Sequence, residues 1–238
     1  MKRPFAVFDI DGTLIRWQLY HSIVQELAHR GLLGGNAIQT INEARMIWKQ
    51  RSHSESFKAY EEVLVNIYND AVQDIAVKDY LSAVDRVFEI YKDQVYVYTR
   101  DLIRKLKAEN YLLFAISGSQ QEIVQKLADY YGFDVALGTE YEQQSGRFTG
   151  KIVGGVLGNK AELLVKLIKQ HHVMTEKSVA VGDSEGDISM LEMVEQPVAF
   201  NPSARLFATA KERGWKIVVE RKNMIYELEA SDGSYILA

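Results

Sequence analysis

Short apolar runs bounded by turn-forming or acidic residues recur along the chain: "FAVFDI" at 5–10, "YLLFAIS" at 111–117, "VALG" from 135, "SVAVGD" at 178–183, "PVAF" at 197–200 and "WKIVV" at 215–219. Runs this short that stay apolar instead of alternating predict strands buried on both faces. Helical patterns lie between most of them. The expected fold class is therefore α/β, a doubly wound parallel sheet assembled from βαβ units.

One interval breaks the rhythm. Between Asn36 and Ser117 there is neither a Gly nor a Pro, the two strongest punctuators of local structure. Within it Phe57, Tyr60, Leu64, Ile67 and Tyr68 recur at three- and four-residue spacing, as do Leu81, Val84, Phe88 and Tyr91, which predicts amphipathic helices. The last helix, about 95–109, leads directly into "YLLFAIS" and is assigned to the core. The expected organisation is a core of 1–15 and 94–238 and an all-helical insertion of 16–93, placed where it can act as a lid over the strand ends. A smaller insertion, "EYEQQSGRFTGKIVGG" at 140–155, reads as a hairpin within the core.

Composition narrows the classes of function. The 238 residues are 47% hydrophobic and 25% charged, ordinary globular usage that argues against disorder. With 28 basic and 32 acidic residues the formal charge is −4, and no Lys/Arg-rich run would track a phosphate backbone, so nucleic acid is not an expected partner. The absence of cysteine removes thiolate zinc sites, iron–sulfur clusters and Cys nucleophiles. The N-terminus carries no signal-peptide pattern and no stretch reaches the length of a membrane span, so a cytoplasmic protein without membrane partners is expected.

The chemistry gathers at strand ends. "FDIDGTL" places Asp9 and Asp11 just after the first strand, and two readings compete there: an acidic turn in which Gly12 supplies a positive φ, or a nucleophile with its proton-transfer partner. "VGDSEGDISM" at 181–190 puts Asp183 and Asp187 beyond a second strand, and in a parallel sheet both ends open on one side. Acidic groups facing one cleft repel unless a cation lies between them, and an all-oxygen donor set suits Mg²⁺. Lys160, in "GNKAELLVKLI", opens an amphipathic helix. Ser117 ends "YLLFAIS" ahead of another helix, followed by the backbone N–H groups of Gly118 and its neighbours. A compact cation, a hydroxyl and free N–H groups complement a phosphoryl group.

In these motifs the chain resembles the haloacid dehalogenase superfamily of phosphohydrolases over nearly its whole length. Asp9 and Asp11 match the first motif, Ser117 the second, Lys160 the third, and Asp183 with Asp187 the fourth, in family order. The helical insertion resembles a C1 cap, and the general pattern is similar to the phosphoserine-phosphatase-like branch. The resemblance implies a Rossmann-like core and a two-step reaction. Asp9 attacks phosphorus, Asp11 protonates the leaving alkoxide and then activates water, and Ser117, Gly118 and Lys160 hold the phosphoryl group. It also implies Mg²⁺ held by Asp9, the Asp11 carbonyl and Asp183, with Asp187 supporting that site or Lys160. The expected partner is a small phosphorylated metabolite.

Other features are given blander readings. Ser119 with Glu122 makes a capping box for a helix running to about Tyr131. "GGVLGNKA" lacks the adjacent Gly-Lys and the hydroxyl residue of a P-loop. In phosphoserine phosphatases of this branch a glutamate is expected nine residues after the nucleophile, and here that position is Gln18. Gly12 stands in place of a serine and Leu64 in place of a cap arginine, departures that weaken phosphoserine as the substrate. Of Arg16, Gln18, Arg45, Arg51, His53 and Tyr60, all candidates for a leaving-group pocket, only Gln18 is retained. Phosphotransferase or phosphomutase activity through the same intermediate is the first alternative, and a non-catalytic binding protein the second.

Overall fold

A computed structural model of the chain describes residues 2–53, 55–231 and 234–237. Its strands are β1 (Pro4–Phe8), β2 (Leu112–Gln120), β3 (Val135–Gln144), β4 (Arg147–Gly154), β5 (Met174–Gly182), β6 (Gln196–Phe200), β7 (Lys216–Arg221), β8 (Met224–Ser231) and β9 (Ser234–Leu237). Its α-helices are α1 (Leu19–His29), α2 (Ala37–Gln50), α3 (Ser56–Ala71), α4 (Val77–Tyr91), α5 (Val97–Ala108), α6 (Gln121–Tyr131), α7 (Lys160–His171), α8 (Ile188–Leu191) and α9 (Ala204–Arg213). They form two compact units, one of Met1–Trp17, Tyr91–Thr139 and Gly155–Ala238, the other of Gln18–Ile90 and Glu140–Gly154.

The first unit is built on a sheet of order β3-β2-β1-β5-β6-β7-β8-β9. Pairing is parallel from β3 to β7, with Val7 opposite Phe114 on one side and Ala180 on the other. The last two strands return antiparallel as a ribbon, a closing feature absent from the sequence reading. Phe5, Ala6, Val7 and Phe8 are all fully buried, because consecutive side chains point to opposite faces and both faces are covered. Phe5 and Val7 join Leu164, Leu167, Leu191 and Leu206 from α7, α8 and α9 in one core, whereas Phe8 meets Phe133 edge-on at 5.8 Å. Since β1, β2 and β5 are parallel, their carboxyl ends all leave the sheet at one edge.

The segments at the borders of the larger insertion pair with each other. Ile15 bridges Val95 antiparallel, Arg16 N–H donates to the Gln94 carbonyl at 2.9 Å, and Tyr96 N–H donates to the Leu14 carbonyl at 3.0 Å. This two-stranded neck stays with the sheet unit.

The second unit is helical, as its periodicity predicts. Tyr60, Leu64 and Tyr68 of α3 and Tyr80, Ala83, Val84 and Val87 of α4 are buried, and Trp48 stacks on Tyr60 at 5.4 Å. The hairpin of β3 and β4, expected within the core, belongs to this unit instead. Its inward rings find aromatic partners on the helices: Tyr141 meets Tyr68 at 5.5 Å, and Phe148 meets Tyr80 at 5.0 Å. Its turn is fastened by a bond from Val77 N–H to the Gly146 carbonyl (2.9 Å) and one from Arg147 Nη1 to the Asp74 carbonyl (2.6 Å). Among the described residues no helix is long and apolar enough to cross a membrane.

Candidate active site

Directly after β1 the chain folds back on itself. Asp9 N–H is tied to the Val181 carbonyl of β5 at 3.0 Å, and the Ile10 carbonyl accepts from both Leu14 and Ile15 N–H at 2.9 Å. Gly12 turns this loop at φ +79°, and a Cβ there would stand 2.3 Å from Asp183 Oδ2. The position thus requires glycine twice, for its left-handed backbone and for the approach of the loop after β5. The turn reading of "FDIDGTL" is what the structure shows, and that tight turn brings the Asp9 loop against Asp183.

The loop after β5 is built for Asp187. A Cβ on Gly182 would meet Asp187 Cβ at 2.4 Å, so only glycine lets that side chain lie across the strand end. Asp187 Oδ2 accepts from Asp183 N–H (3.1 Å), Ser184 N–H (2.9 Å) and Ser184 Oγ (2.9 Å). Its Oδ1 accepts from Lys160 Nζ at 2.6 Å. Lys160, the first residue of α7 and 6% exposed, also donates to Asp9 Oδ1 at 2.6 Å. At the end of β2, Ser117 Oγ donates to Asp11 Oδ2 at 2.7 Å and accepts from Ser119 N–H at 3.0 Å. Strand β2 runs on to Gln120 and α6 begins at Gln121, so Ser119 lies one residue ahead of the capping position expected for it.

One ammonium is set against several carboxylates. Ligand atoms of Asp9, Asp183 and Asp187 lie within 4.8 Å of one another. Burial, opposed by Lys160 but reinforced by Asp187 and Asp11, pushes the Asp9 carboxyl up to about 7. Burial and the Asp9 and Asp187 charges hold Asp183 well above the usual carboxylate range. Burial works against the Lys160 ammonium, yet the Asp187 and Asp9 carboxylates outweigh it and raise its pKa. A cluster in which ionised carboxylates are disfavoured while Lys160 is already engaged fits a further cation. The donor set is all oxygen, as Mg²⁺ prefers. With Asp187 spent on four hydrogen bonds, the carboxylates left for a metal are those of Asp9 and Asp183.

Of the residues expected at the site, Asp9, Asp11, Ser117, Gly118, Lys160, Asp183 and Asp187 come together at this edge of the sheet. Gln18 belongs to the helical unit, as the residue before α1, where its carbonyl accepts from Ser22 N–H and Oγ at 3.2 Å. Thr13 was not singled out from the sequence. Fully buried, it donates to Asp183 Oδ1 at 3.1 Å, and its carbonyl accepts from Thr99 Oγ1 at 2.9 Å. Its place inside "DIDGT" was the available signal; Thr99, far along the chain, offered none. A separate cleft of about 870 Å³ lies at the opposite, amino-terminal ends of β5, β6 and β7, lined by Val179, Gln196 and Lys216 among others. Two cations on its wall are already paired, Lys216 with Glu227 and Arg213 with Glu192, and it lies at the other end of the strands from Asp9 and Asp183.

Comparison with known proteins places the chain in a family. A family model described as haloacid dehalogenase-like hydrolase matches residues 6–192. The chain is 28% identical over 221 residues to phosphoserine phosphatase SerB1 of Mycobacterium tuberculosis, covering 89% of this chain and 69% of that protein. It is 25% identical over 235 residues to a histidinol-phosphatase of Neisseria meningitidis, covering 91% of this chain and 98% of the relative. Among solved structures, a phospho-aspartyl intermediate analogue of phosphoserine phosphatase superposes with a TM-score of 0.63 at 21% identity, covering 93% of this chain and 95% of that one.

Proposed function

The chain belongs to the haloacid dehalogenase-like hydrolases and is a phosphatase, and from that premise we propose that it hydrolyses a small phosphomonoester through an aspartyl-phosphate on Asp9. The observation that carries this reading is the setting of Asp9. Its Oδ1 is fixed by Lys160 at 2.6 Å, which leaves Oδ2 to attack. In the first step a bond forms from Asp9 to phosphorus as the bond to the ester oxygen breaks, and Asp11 gives its proton to the departing alkoxide. Asp11 then takes a proton from water, which attacks the phosphoaspartate and releases inorganic phosphate. Ser117, bonded to Asp11 at 2.7 Å, keeps that carboxyl aimed, while Ser117, Gly118 N–H and Lys160 hold the phosphoryl oxygens. Most of the catalysis in phosphoryl transfer is positioning and electrostatics of this kind.

Mg²⁺ is the metal proposed here, held by Asp9, the Asp11 carbonyl and Asp183, with Thr13 and Asp187 orienting that set; when bound it supplies neutralising charge to the phosphoryl oxygens. Two relatives named for different esters support a small phosphomonoester as substrate and do not choose among them. The helical unit is proposed as the cap that selects the ester, with Gln18 contributing to leaving-group recognition.

Phosphate release from para-nitrophenyl phosphate, with and without Mg²⁺, tests the proposal. Asp9→Asn is expected to lower kcat by at least ~10³-fold while the protein stays folded, and Gln18→Ala to act chiefly on KM of the physiological ester. Wild-type turnover in Asp9→Asn would remove Asp9 as nucleophile.

A further inference from the structure

Arg16 was not retained from the sequence as a pocket residue, and in the structure it is exposed but not idle. It precedes α1, its backbone N–H is fixed to the Gln94 carbonyl at 2.9 Å, and its guanidinium carbon stands 5.3 Å from the centre of the Tyr96 ring. That ring is itself held. It packs edge-on against Phe200 at 4.9 Å, with the Asn201 side chain close to its hydroxyl. Phe200 and Asn201 end β6, and two residues on, Ser203 N–H donates to the Asp183 carbonyl at 2.8 Å. Arg16 therefore rests on a platform anchored to the same loops that carry Asp9 and Asp183.

Two things distinguish this cation. Among the described residues no carboxylate is ion-paired with it, although the Tyr96 ring beside it also lies in the field of the Asp183 carboxylate. Burial, offset by Arg16 and increased by the Asp183 charge, raises the Tyr96 hydroxyl above its usual value, which sets Tyr96 within electrostatic reach of both. A guanidinium stacked on an aromatic face keeps its planar edge of N–H donors free, and that edge matches an oxyanion with two parallel hydrogen bonds. Lys160 differs from it: buried and saturated by Asp9 and Asp187, it has no reach beyond the phosphoryl group.

We propose that Arg16 is a specificity-determining residue that recognises a second oxyanion, carboxylate or phosphate, on the alcohol portion of the substrate, so that the preferred esters are phosphomonoesters of anionic alcohols. The proposal rests on the phosphomonoesterase reading above. It assigns to the loop after β1 two tasks seven residues apart, attack by Asp9 and selection by Arg16. The charge arithmetic is consistent: a leaving group bearing a second negative charge is repelled by the carboxylate cluster unless a cation receives it.

The test compares kcat/KM within matched pairs of esters, phosphoserine against phosphoethanolamine and phosphoglycolate against ethyl phosphate, each pair differing by one carboxylate. Ethylene glycol bisphosphate against ethyl phosphate forms the arm for a second phosphate. The wild-type protein is expected to favour the anionic member of at least one arm by roughly 10- to 100-fold, the worth of one charge-assisted contact. Arg16→Ala should collapse that ratio toward one, and Arg16→Lys should recover part of it. Which arm shows the ratio identifies carboxylate or phosphate. A variant that is merely misfolded lowers both members of a pair alike and leaves the ratio intact, as does an arginine that only braces Tyr96; an unchanged ratio in Arg16→Ala, or no preference in the wild type, overturns the proposal. If para-nitrophenyl phosphate is hydrolysed and the ratio does not respond, this inference fails alone; if no ester is hydrolysed, the activity itself was misread.

Discussion

Asp9 carries opposing demands. As the proposed nucleophile it must be ionised, yet its carboxyl is raised from 3.8 to about 7, chiefly by burial. Between those values the folded state holds a proton that the unfolded state has released, so the Asp9 contribution to stability is full below pH 3.8 and is lost as pH rises through about 7. Asp9→Asn removes that loss. Without metal, the melting temperature of the variant minus that of the wild type should grow as pH rises from about 4 to 7 and level off above, at roughly 2–4 °C per kcal/mol. Mg²⁺ should stabilise the wild type more than the variant, most strongly above pH 7. A difference that is flat with pH would mean that Asp9 is not strained toward its neutral form.

At the scale of elements, α5 depends on a distant carboxylate. Its first N–H groups have no partner within the helix, and Glu220 of β7, 7% exposed, accepts from Val97 N–H at 3.1 Å and Tyr98 N–H at 2.9 Å. Glu220→Ala should cost about 1–2 kcal/mol, read as a lower urea midpoint, with Glu220→Gln intermediate; an unchanged midpoint would show that water replaces the carboxylate at no cost. Nothing in the sequence connects Glu220 to Val97, and the same distinction governs what was legible elsewhere. Strands β1, β2, β5, β6 and β7 were readable because an unbroken apolar run reports burial on both faces locally. Asp9, Ser117 and Asp183 could be brought to one edge from the sequence because each ends or follows such a strand, and Lys160 because it opens an amphipathic helix. Thr99 and the allegiance of the hairpin are set by partners far along the chain, which periodicity does not encode, whereas the β8–β9 ribbon pairs with its sequence neighbours but is too exposed to leave an apolar run.

For the whole molecule that allegiance has a thermodynamic meaning. Tyr141 and Phe148 arise from a segment that the sheet unit flanks on both sides in sequence, yet they complete the core of the helical one through Tyr68 and Tyr80. Phe148, 3% exposed, should therefore report on α3 and α4. Phe148→Ala is expected to cost about 3–5 kcal/mol, appearing as faster amide hydrogen exchange in α3 and α4 while β1 and β5 keep their protection. Equal loss of protection in all four elements would make the two units a single cooperative block.

The neck has a consequence for ancestry and exchange. Ile15 and Val95 form a bridge, and Glu140 and Gly154 pair at the mouth of the hairpin, so each insertion leaves and rejoins the chain through adjacent antiparallel residues. Such a junction is a hairpin whose turn has been replaced by a much longer excursion. A short turn could close either one without moving Asp9, Lys160 or Asp183. If the helical unit selects the ester as proposed, its two segments could be exchanged as cassettes, and Arg16, which belongs to the sheet unit, would stay behind when they are swapped.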